Sequence, residues 1–210
     1  MELNAVEIRV LGALIEKDMS TPDYYPMSVN ALVNACNQKT NREPVVAYDE
    51  QTAMEALDGL RTKGLVVFVH ESGSRVEKYR HRLGEHFNFT RGELAVLAVL
   101  MLRGPQTMAE LRERSARLHT FEDSSALEYT LHRMETREGG ALVKLMPRQP
   151  GMKEPRWARL LGGEPEWNAD PEPVASAPAA GAGLAERVEN LESELRGLRA
   201  EFERFREQFQ

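Results

Sequence analysis

Cysteine is almost absent from this sequence of 210 residues, and the single Cys36 excludes an intrachain disulfide. So low a cysteine content is typical of a protein from a reducing compartment. Long apolar runs are absent too: the longest, Leu94 to Leu102, has nine residues, too few to span a bilayer. The charged residues Glu2 and Glu7 are unlike a secretory signal. These absences predict a cytoplasmic protein, and a hydrophobic content of 41% is enough to form a core.

An excess of positive charge is also missing, since the formal net charge is -6. Basic and acidic residues number 10 and 13 in residues 1–86, 12 and 9 in residues 87–161, and 5 and 11 in residues 162–210. Neutralisation of phosphates supplies most of the non-specific affinity for nucleic acid. An acidic chain therefore starts at a disadvantage as a DNA-binding protein, and only the middle segment carries the favourable sign.

Motifs for catalysis are scarce. The five histidines share no metal-ligand spacing with one another or with Cys36, and there is no phosphate-binding glycine loop or serine nucleophile elbow. Cys36 lies at the predicted end of an apolar helix, where a cysteine is more often a small core residue. We therefore predict that the protein is not an enzyme and has no cofactor or metal.

An internal repeat indicates the architecture. The pattern from Leu3 to Leu14 returns 86 residues later, from Phe89 to Leu100, with the period of an amphipathic helix. A third helix, capped by Asp49 in one copy and Asp123 in the other, repeats at an offset of 74. A hairpin then repeats at an offset of 77, so that its last residues, Arg82-Leu83 and Arg159-Leu160, are aligned. Each copy thus has the order of a winged helix, a helix-turn-helix followed by a β-hairpin wing.

Local signals support this order. Ser28 can cap the second helix of the first copy, and Thr107 with Glu110 forms a capping box in the second. We predict a mainly α fold with small β-hairpins (α+β): two tandem winged-helix domains at residues 1–86 and 87–161, a flexible Pro/Ala/Gly linker at 162–183, and a coiled-coil helix at 184–210. The buried faces of the third helices are predicted to be Ala53, Leu57 and Leu60, and Leu127, Leu131 and Met134.

The two copies differ by insertions. The first copy has seven extra residues around Asp18–Tyr25 and five between Cys36 and Asp49, and the second has three around Arg137–Gly140. The polar connector 37–44 has two interpretations. Its Asn side chains can satisfy backbone groups at the end of a helix, or Gln38, Lys39, Asn41 and Arg42 can contact nucleic acid or a protein.

The same stretch carries a resemblance. Tyr24-Tyr25-Pro26, Asn30-Ala31-Leu32 and the runs Ala35–Lys39 and Asn41–Val45 resemble the bacterial YceH-like family, over roughly residues 3–161. The resemblance implies tandem winged helices and a bacterial cytoplasmic setting, but no particular activity. Glu43 is a departure, since the family usually has Asp before the proline.

Winged helices commonly bind DNA through the third helix and the wing. In the first copy the outward face of that helix contains Glu55 and Asp58, which phosphates would repel, whereas Tyr129 and Arg133 in the second copy can reach phosphates or bases. Basic residues in the wings can bind phosphates or can be the exposed face of a strand. The predicted nucleic-acid contacts are Lys39, Arg42, Arg75, Lys78, Arg80, Tyr129, Arg133, Arg148, Lys153 and Arg156.

The C-terminal segment has the 3.5-residue repeat of a coiled coil, with complementary charges for a parallel dimer. The alternative is an amphipathic helix that folds back on the domains. The predicted dimerisation residues are Leu184, Val188, Leu191, Leu195, Leu198, Phe202, Phe205 and Phe209.

Two hypotheses follow. In the first, the chain is a homo-oligomeric protein that binds double-stranded DNA, such as a transcriptional regulator. In the second, it is an adaptor that uses its winged helices to bind protein partners without DNA. The acidic third helix of the first copy favours the adaptor, whereas the duplicated fold and the basic wings favour DNA. The prediction from the sequence is DNA binding, with the adaptor as the alternative.

Overall fold

The computed structural model describes residues 2–70, 76–148 and 151–163. They form seven α-helices, one 3-10 helix and two antiparallel hairpins, so the α+β class is confirmed. They lie in a compact unit, Met1–Ala169; the rest of the chain, with all eight predicted dimerisation residues, lies outside the described residues. The elements are α1 Ala5–Ser20, the 3-10 helix Pro22–Tyr24, α2 Val29–Cys36, α3 Glu50–Thr62, β1 Val66–Val69, β2 Lys78–His81, α4 Leu83–Phe87, α5 Arg91–Arg103, α6 Met108–Ser115, α7 Ser124–Glu135, β3 Val143–Met146 and β4 Arg156–Arg159.

The helices begin where their side chains can satisfy free backbone N–H groups. The predicted caps are confirmed: Ser28 caps α2, and Asp49 and Asp123 accept from backbone N–H groups of α3 and α7 at 2.8 Å. The predicted Thr107–Glu110 capping box also forms. Further capping boxes at the starts of α1 and α5 use Asn4 with Glu7 and Thr90 with Glu93, which lie at equivalent positions of the repeat.

Helices α1 and α5 are the centre of the core. Both are buried on nearly every side, and they pack against each other so closely that a Cβ on Gly12 of α1 would lie 2.9 Å from Cβ of Met101 in α5. The predicted inner faces of α3 and α7 are buried, with every one of the six side chains no more than 1% exposed. One apolar cluster therefore spans residues 1–86, here called the first half, and residues 87–161, the second half.

In each half, the hairpin forms backbone hydrogen bonds with the segment that precedes the second helix. Met27 exchanges two backbone hydrogen bonds with Tyr79 of β2, at 2.8 and 3.1 Å. Gln106 exchanges the same pair with Trp157 of β4, at 2.7 and 3.0 Å. Both aromatic side chains are buried, so each hairpin is held against its own helices by backbone pairing and by an aromatic anchor.

The register of the hairpins corrects one part of the predicted alignment. Val66 pairs with His81, and the equivalent Val143 pairs with Arg159. Arg82 therefore corresponds to Leu160, because both donate their backbone N–H to the residue that precedes the first strand. The alignment of Arg82 with Arg159 is wrong by one residue, since the loop of the second hairpin is one residue longer than that of the first.

Candidate functional site

The residues predicted to contact nucleic acid lie on separate elements. Two lie in the loop between α2 and α3, two on β2, two on α7, and three in or beside the second hairpin. The tenth, Arg75, lies outside the described residues. What each basic side chain contacts decides whether a ligand can use its charge.

The connector 37–44 is first of all a structural loop. The Asn37 amide donates to the backbone carbonyl of Tyr48 at 2.7 Å, and Oδ1 accepts from the Tyr48 N–H at 2.8 Å. This confirms the interpretation that asparagine satisfies backbone groups after α2. Asn41 has a φ of 59°, in the left-handed region that asparagine tolerates.

The same loop holds the two halves together. Oδ1 of Asn41 accepts from Arg103 Nη1 at 2.8 Å, and the Glu43 N–H donates to the Leu102 carbonyl at 2.8 Å. Arg103 and Leu102 belong to the last turn of α5 in the second half. The insertion that distinguishes the first copy is thus an inter-half contact.

Arg42 is a correction to the predicted set. Only 5% of the residue is exposed, and its guanidinium donates to both carboxylate oxygens of Glu16, at 2.5 and 3.0 Å, and to the Ala35 carbonyl at 2.8 Å. A phosphate cannot reach a guanidinium that is enclosed in this way. Lys39, in the same loop, is exposed.

Glu16 is the acceptor at the centre of a buried ion cluster. Its side chain is wholly buried and accepts from Arg42 and from Arg117 of the second half. Burial alone would raise the pKa of Glu16, but the hydrogen bonds and charges of Arg42 and Arg117 outweigh it and hold the pKa below its usual value. Glu16 is therefore ionised at neutral pH.

Arg9 and Cys36 lie beside this cluster. Arg9 is 4% exposed and donates to the backbone carbonyls of Cys36 and Pro44, at 3.3 and 2.5 Å. Burial, and then the charge of Arg42, lower its pKa. Burial raises the pKa of the Cys36 thiol to about 12, so the thiol stays protonated. The prediction that Cys36 is a core residue is confirmed.

In the first hairpin, Arg80 is already paired. Arg80 and Arg82 donate to the two carboxylate oxygens of Glu85, at 2.7 and 2.8 Å. Their hydrogen bonds lower the pKa of Glu85 to about 2, so the carboxylate is ionised. The charge that Arg80 would offer to a phosphate is therefore partly balanced. Lys78 is half-buried.

Among the predicted contacts of the second half, two arginines are paired with carboxylates. Arg133 pairs with Glu93 at 2.6 Å, a hydrogen bond that raises the pKa of Arg133, and Arg156 pairs with Glu110 at 2.7 Å. The Arg133 side chain is still 45% exposed in this pair. The other three predicted contacts of the second half are exposed as well: Tyr129, which is 68% exposed, Arg148 and Lys153.

A first cleft, of about 490 Å³, lies between the starts of α2 and α3 and the first hairpin. Its walls include Met54 of α3, which is 43% exposed, and Val76, which is 58% exposed. Its charged lining among the described residues consists of Glu50 and Glu77. The side chains that make up this first cleft are Ser28, Val29, Asn30, Glu50, Met54, Val76, Glu77 and Tyr79.

The exposed face of α3 continues the acidic character of the first cleft. Asp58 is paired with Arg61 at 2.9 Å, and the Arg61 guanidinium lies over the Phe68 ring, 4.4 Å from its centre. Glu55 is exposed on the same helix. An apolar surface bordered by carboxylates thus extends from α3 to the hairpin.

A second cleft, also of about 490 Å³, occupies the corresponding place between α7 and the second hairpin. Tyr129, Leu145 and Trp157 provide its apolar surface, and Glu128 and Glu135 its carboxylates. Leu145 is 42% exposed, although it lies in a strand. The other lining residues are Ser125 and His132.

The acidic face of α3 was predictable from the sequence, but the clefts were not. Met54 was not singled out, because it lies outside the apolar period of α3. That displacement was itself the available signal, since it leaves an apolar side chain at a solvent-facing position of the third helix. Leu145 gave no such signal, because it alternates with Lys144 as a buried strand residue would.

Across the described residues, no three His, Cys, Asp or Glu side chains are grouped so that they could hold a metal ion. None of the helices in that part of the chain is both long and apolar enough to cross a membrane.

Comparison with known proteins gives the same family throughout. The family model described as "Protein of unknown function, DUF480" matches residues 3–152. A UPF0502 protein of Solibacter usitatus is 52% identical over 209 residues, covering 100% of this chain and 98% of the relative. A UPF0502 protein of Geobacter sulfurreducens is 50% identical over 188 residues, covering 90% and 84%. The chain therefore belongs to the DUF480 (UPF0502) family of bacterial proteins.

Proposed function

We propose that each half of the chain is a winged helix and that the protein is a non-enzymatic adaptor, whose first cleft binds a segment of a partner protein. The order of three helices and a hairpin in each half supports the winged-helix assignment. The backbone pairing of Met27 with Tyr79, and of Gln106 with Trp157, supports it too, because it gives each hairpin a short third strand.

The charge and polarity of the first cleft carry this proposal. The third helix and the wing are the surfaces with which winged helices commonly contact DNA. Here they present Glu50, Glu55 and Glu77, which repel phosphates, together with the exposed Met54, whereas Asp58 is balanced by Arg61. An apolar surface with an acidic border fits a protein segment much better than a nucleic acid.

The partner segment is defined by complementarity. Large apolar side chains would contact Met54, Val76 and Tyr79, and Lys or Arg residues beside them would face the carboxylates of Glu50 and Glu77. Apolar anchors supply most of the affinity in such interfaces, whereas charges at the border set specificity and the association rate. The expected partner segment is therefore amphipathic and basic.

A photo-crosslinking amino acid in place of Met54 tests the adaptor function in living cells of the source bacterium. The expected result is one dominant crosslinked protein, whose yield falls when Glu50→Lys is added, since Glu50 lines the cleft. The matched controls are the crosslinker in place of the exposed Glu138 and the charge reversal Glu138→Lys. The proposal fails if the Met54 position yields no more product than the Glu138 position, or if Glu50→Lys leaves the product unchanged.

DNA binding through the second half is the other candidate, and the accessible Arg148, Lys153 and Tyr129 favour it. Fluorescence anisotropy of a labelled duplex, measured over a salt titration, tests this candidate. The logarithm of the binding constant falls linearly with the logarithm of the salt concentration, with a slope of about 0.9 per phosphate contacted. Arg148→Glu with Lys153→Glu should abolish such binding. Arg80→Glu should change it little, because Glu85 already holds Arg80. Absence of binding by the full chain at low salt would exclude this candidate.

We further propose that the chain dimerises through residues 184–210, whose heptad pattern supports a parallel pair. Two adaptors joined in this way would present two copies of the first cleft. Bivalent binding then raises the avidity for a partner that is itself repeated.

A further inference from the structure

A pocket of about 390 Å³ lies where the connector 37–44 of the first half meets α5 and α6 of the second. Its volume is in the range of small-molecule sites. Glu43 is the lining residue from the first half. The polar groups of this junction pocket are Glu43, Arg103, Gln106, Glu110, Arg114 and Arg156.

The junction pocket has an excess of guanidinium groups: three arginines face two carboxylates. Glu110 accepts from Arg156 at 2.7 Å and lies 3.4 Å from Arg114. Arg103 donates to Asn41 rather than to a carboxylate. Burial lowers the pKa of Arg103, and the charges of Arg114 and Arg117 lower it further, whereas those of Glu43 and Glu110 act in the opposite direction.

One donor of the pocket has no acceptor. Arg156 donates through Nη1 to Glu110 and to the Pro105 carbonyl, but its Nε is buried and makes no hydrogen bond. Among the described residues, Arg156 Nε is the one buried side-chain nitrogen or oxygen that has no hydrogen-bond partner. Leaving a charged donor unsatisfied is costly, so such a group needs an explanation.

The remaining side chains of the pocket are held in place. Gln106 is 3% exposed, and its amide donates to the carbonyls of Arg103, Gly104 and Pro105. Its Oε1 accepts from Arg114. The guanidinium of Arg114 is thus oriented by a fixed neighbour, as a preformed binding site requires.

We propose that the junction pocket binds a small oxyanion, a phosphate or pyrophosphate group, through Arg103, Arg114 and Arg156. A planar guanidinium presents paired N–H donors that match phosphate oxygens, and three such groups exceed the charge of Glu43 and Glu110. The phosphate can come from a free small molecule or from a nucleic-acid backbone.

Isothermal titration calorimetry of the full chain with pyrophosphate, at ionic strength held constant with chloride, tests the site. We expect saturable binding that Arg114→Gln and Arg156→Gln each weaken about tenfold or more. Arg112→Gln is the matched control, since Arg112 is an exposed arginine of α6 that does not line the pocket. A parallel titration with a short duplex identifies the source of the phosphate: the probe that binds more tightly, and loses affinity in the same variants, is the better model of the ligand.

A further variant works in the opposite direction and does not depend on damage to the fold. Glu43→Gln removes an exposed carboxylate from the pocket, so affinity for pyrophosphate should rise severalfold. The proposal is overturned if neither probe binds saturably, if Arg112→Gln weakens binding as much as Arg114→Gln, or if Glu43→Gln weakens it.

Discussion

At the scale of single residues, the molecule separates charges that hold the fold from charges that are open to partners. Lys39 and Arg42 lie three positions apart in one loop, yet Lys39 is exposed and Arg42 is enclosed beside Glu16. Breaking a buried pair leaves an uncompensated charge, whereas an exposed pair contributes little.

Arg42→Ala should lower the free energy of unfolding by about 3 kcal/mol, the lower end of the range for a broken buried pair because Arg117 still donates to Glu16. Lys39→Ala is the control and should change the free energy by no more than about 0.5 kcal/mol. Urea unfolding at neutral pH, followed by circular dichroism, measures both. Equal effects of the two substitutions would show that Arg42 is not a structural residue.

The pH dependence of the Glu16 cluster has a definite sign. The folded-state pKa of Glu16 lies below the ordinary value of 4.5, so its stabilisation is fully present above that value and is lost as the pH falls through the folded pKa. Glu16→Gln should therefore destabilise most at neutral pH, and its difference from wild type should shrink below about pH 4.5. Unfolding curves at several pH values test this; a difference that grows with acidity would contradict it.

Residue roles were predictable only where they follow from local chemistry. The caps Ser28, Asp49 and Asp123 depend on hydrogen bonds within a few residues, and the sequence shows these directly. The burial of Arg42 depends on Glu16, 26 positions away, and on Arg117 in the second half. A single sequence gives no information on such distant partners.

At the scale of elements, the repeat predicted the order of helices and hairpins, since apolar period and turn chemistry are local properties. It failed by one residue at the second hairpin, where the loop is longer. The short helix α4, Leu83–Phe87, was not predicted, because a single helical turn has too few residues for a period to be seen.

The packing of α1 on α5 gives a prediction at this scale. Gly12→Ala should destabilise the protein by about 1–3 kcal/mol, although alanine is the better helix former, because the new Cβ would lie 2.9 Å from Cβ of Met101. Gly84→Ala in α4 is the control, since its nearest neighbour would be the flexible end of Leu94 at 3.4 Å. Thermal unfolding compares the two; a more stable Gly12→Ala variant would mean that the helices can move apart.

At the scale of the whole molecule, the two halves form one core, and the candidate clefts lie on their third helices and hairpins. The repeat predicted two halves but not their shared interior, because the low polarity of α1 and α5 does not identify the partner that each helix meets. The clefts were not predicted either, because the apolar periods of a third helix and of the hairpin that follows it do not show how the two pack beside each other.

Oligomeric state is the prediction that belongs to this scale. Light scattering coupled to size-exclusion chromatography should give a dimer mass for the full chain and a monomer mass for a truncation that ends at Gly163. Leu191→Lys with Leu198→Lys should also give monomers, because charges at the seam oppose pairing. A full chain that is monomeric at high concentration would disprove dimerisation through residues 184–210.

The loop contacts between the halves limit how relatives can be recombined. Glu16 and the Glu43 N–H belong to the first half, while Arg117 and the Leu102 carbonyl belong to the second. A chimera that joins the first half of this chain to the second half of a relative keeps this junction only if the relative has a basic side chain at the position of Arg117. A substitution of Glu16 in the first half is therefore coupled to the residue that faces it from the second.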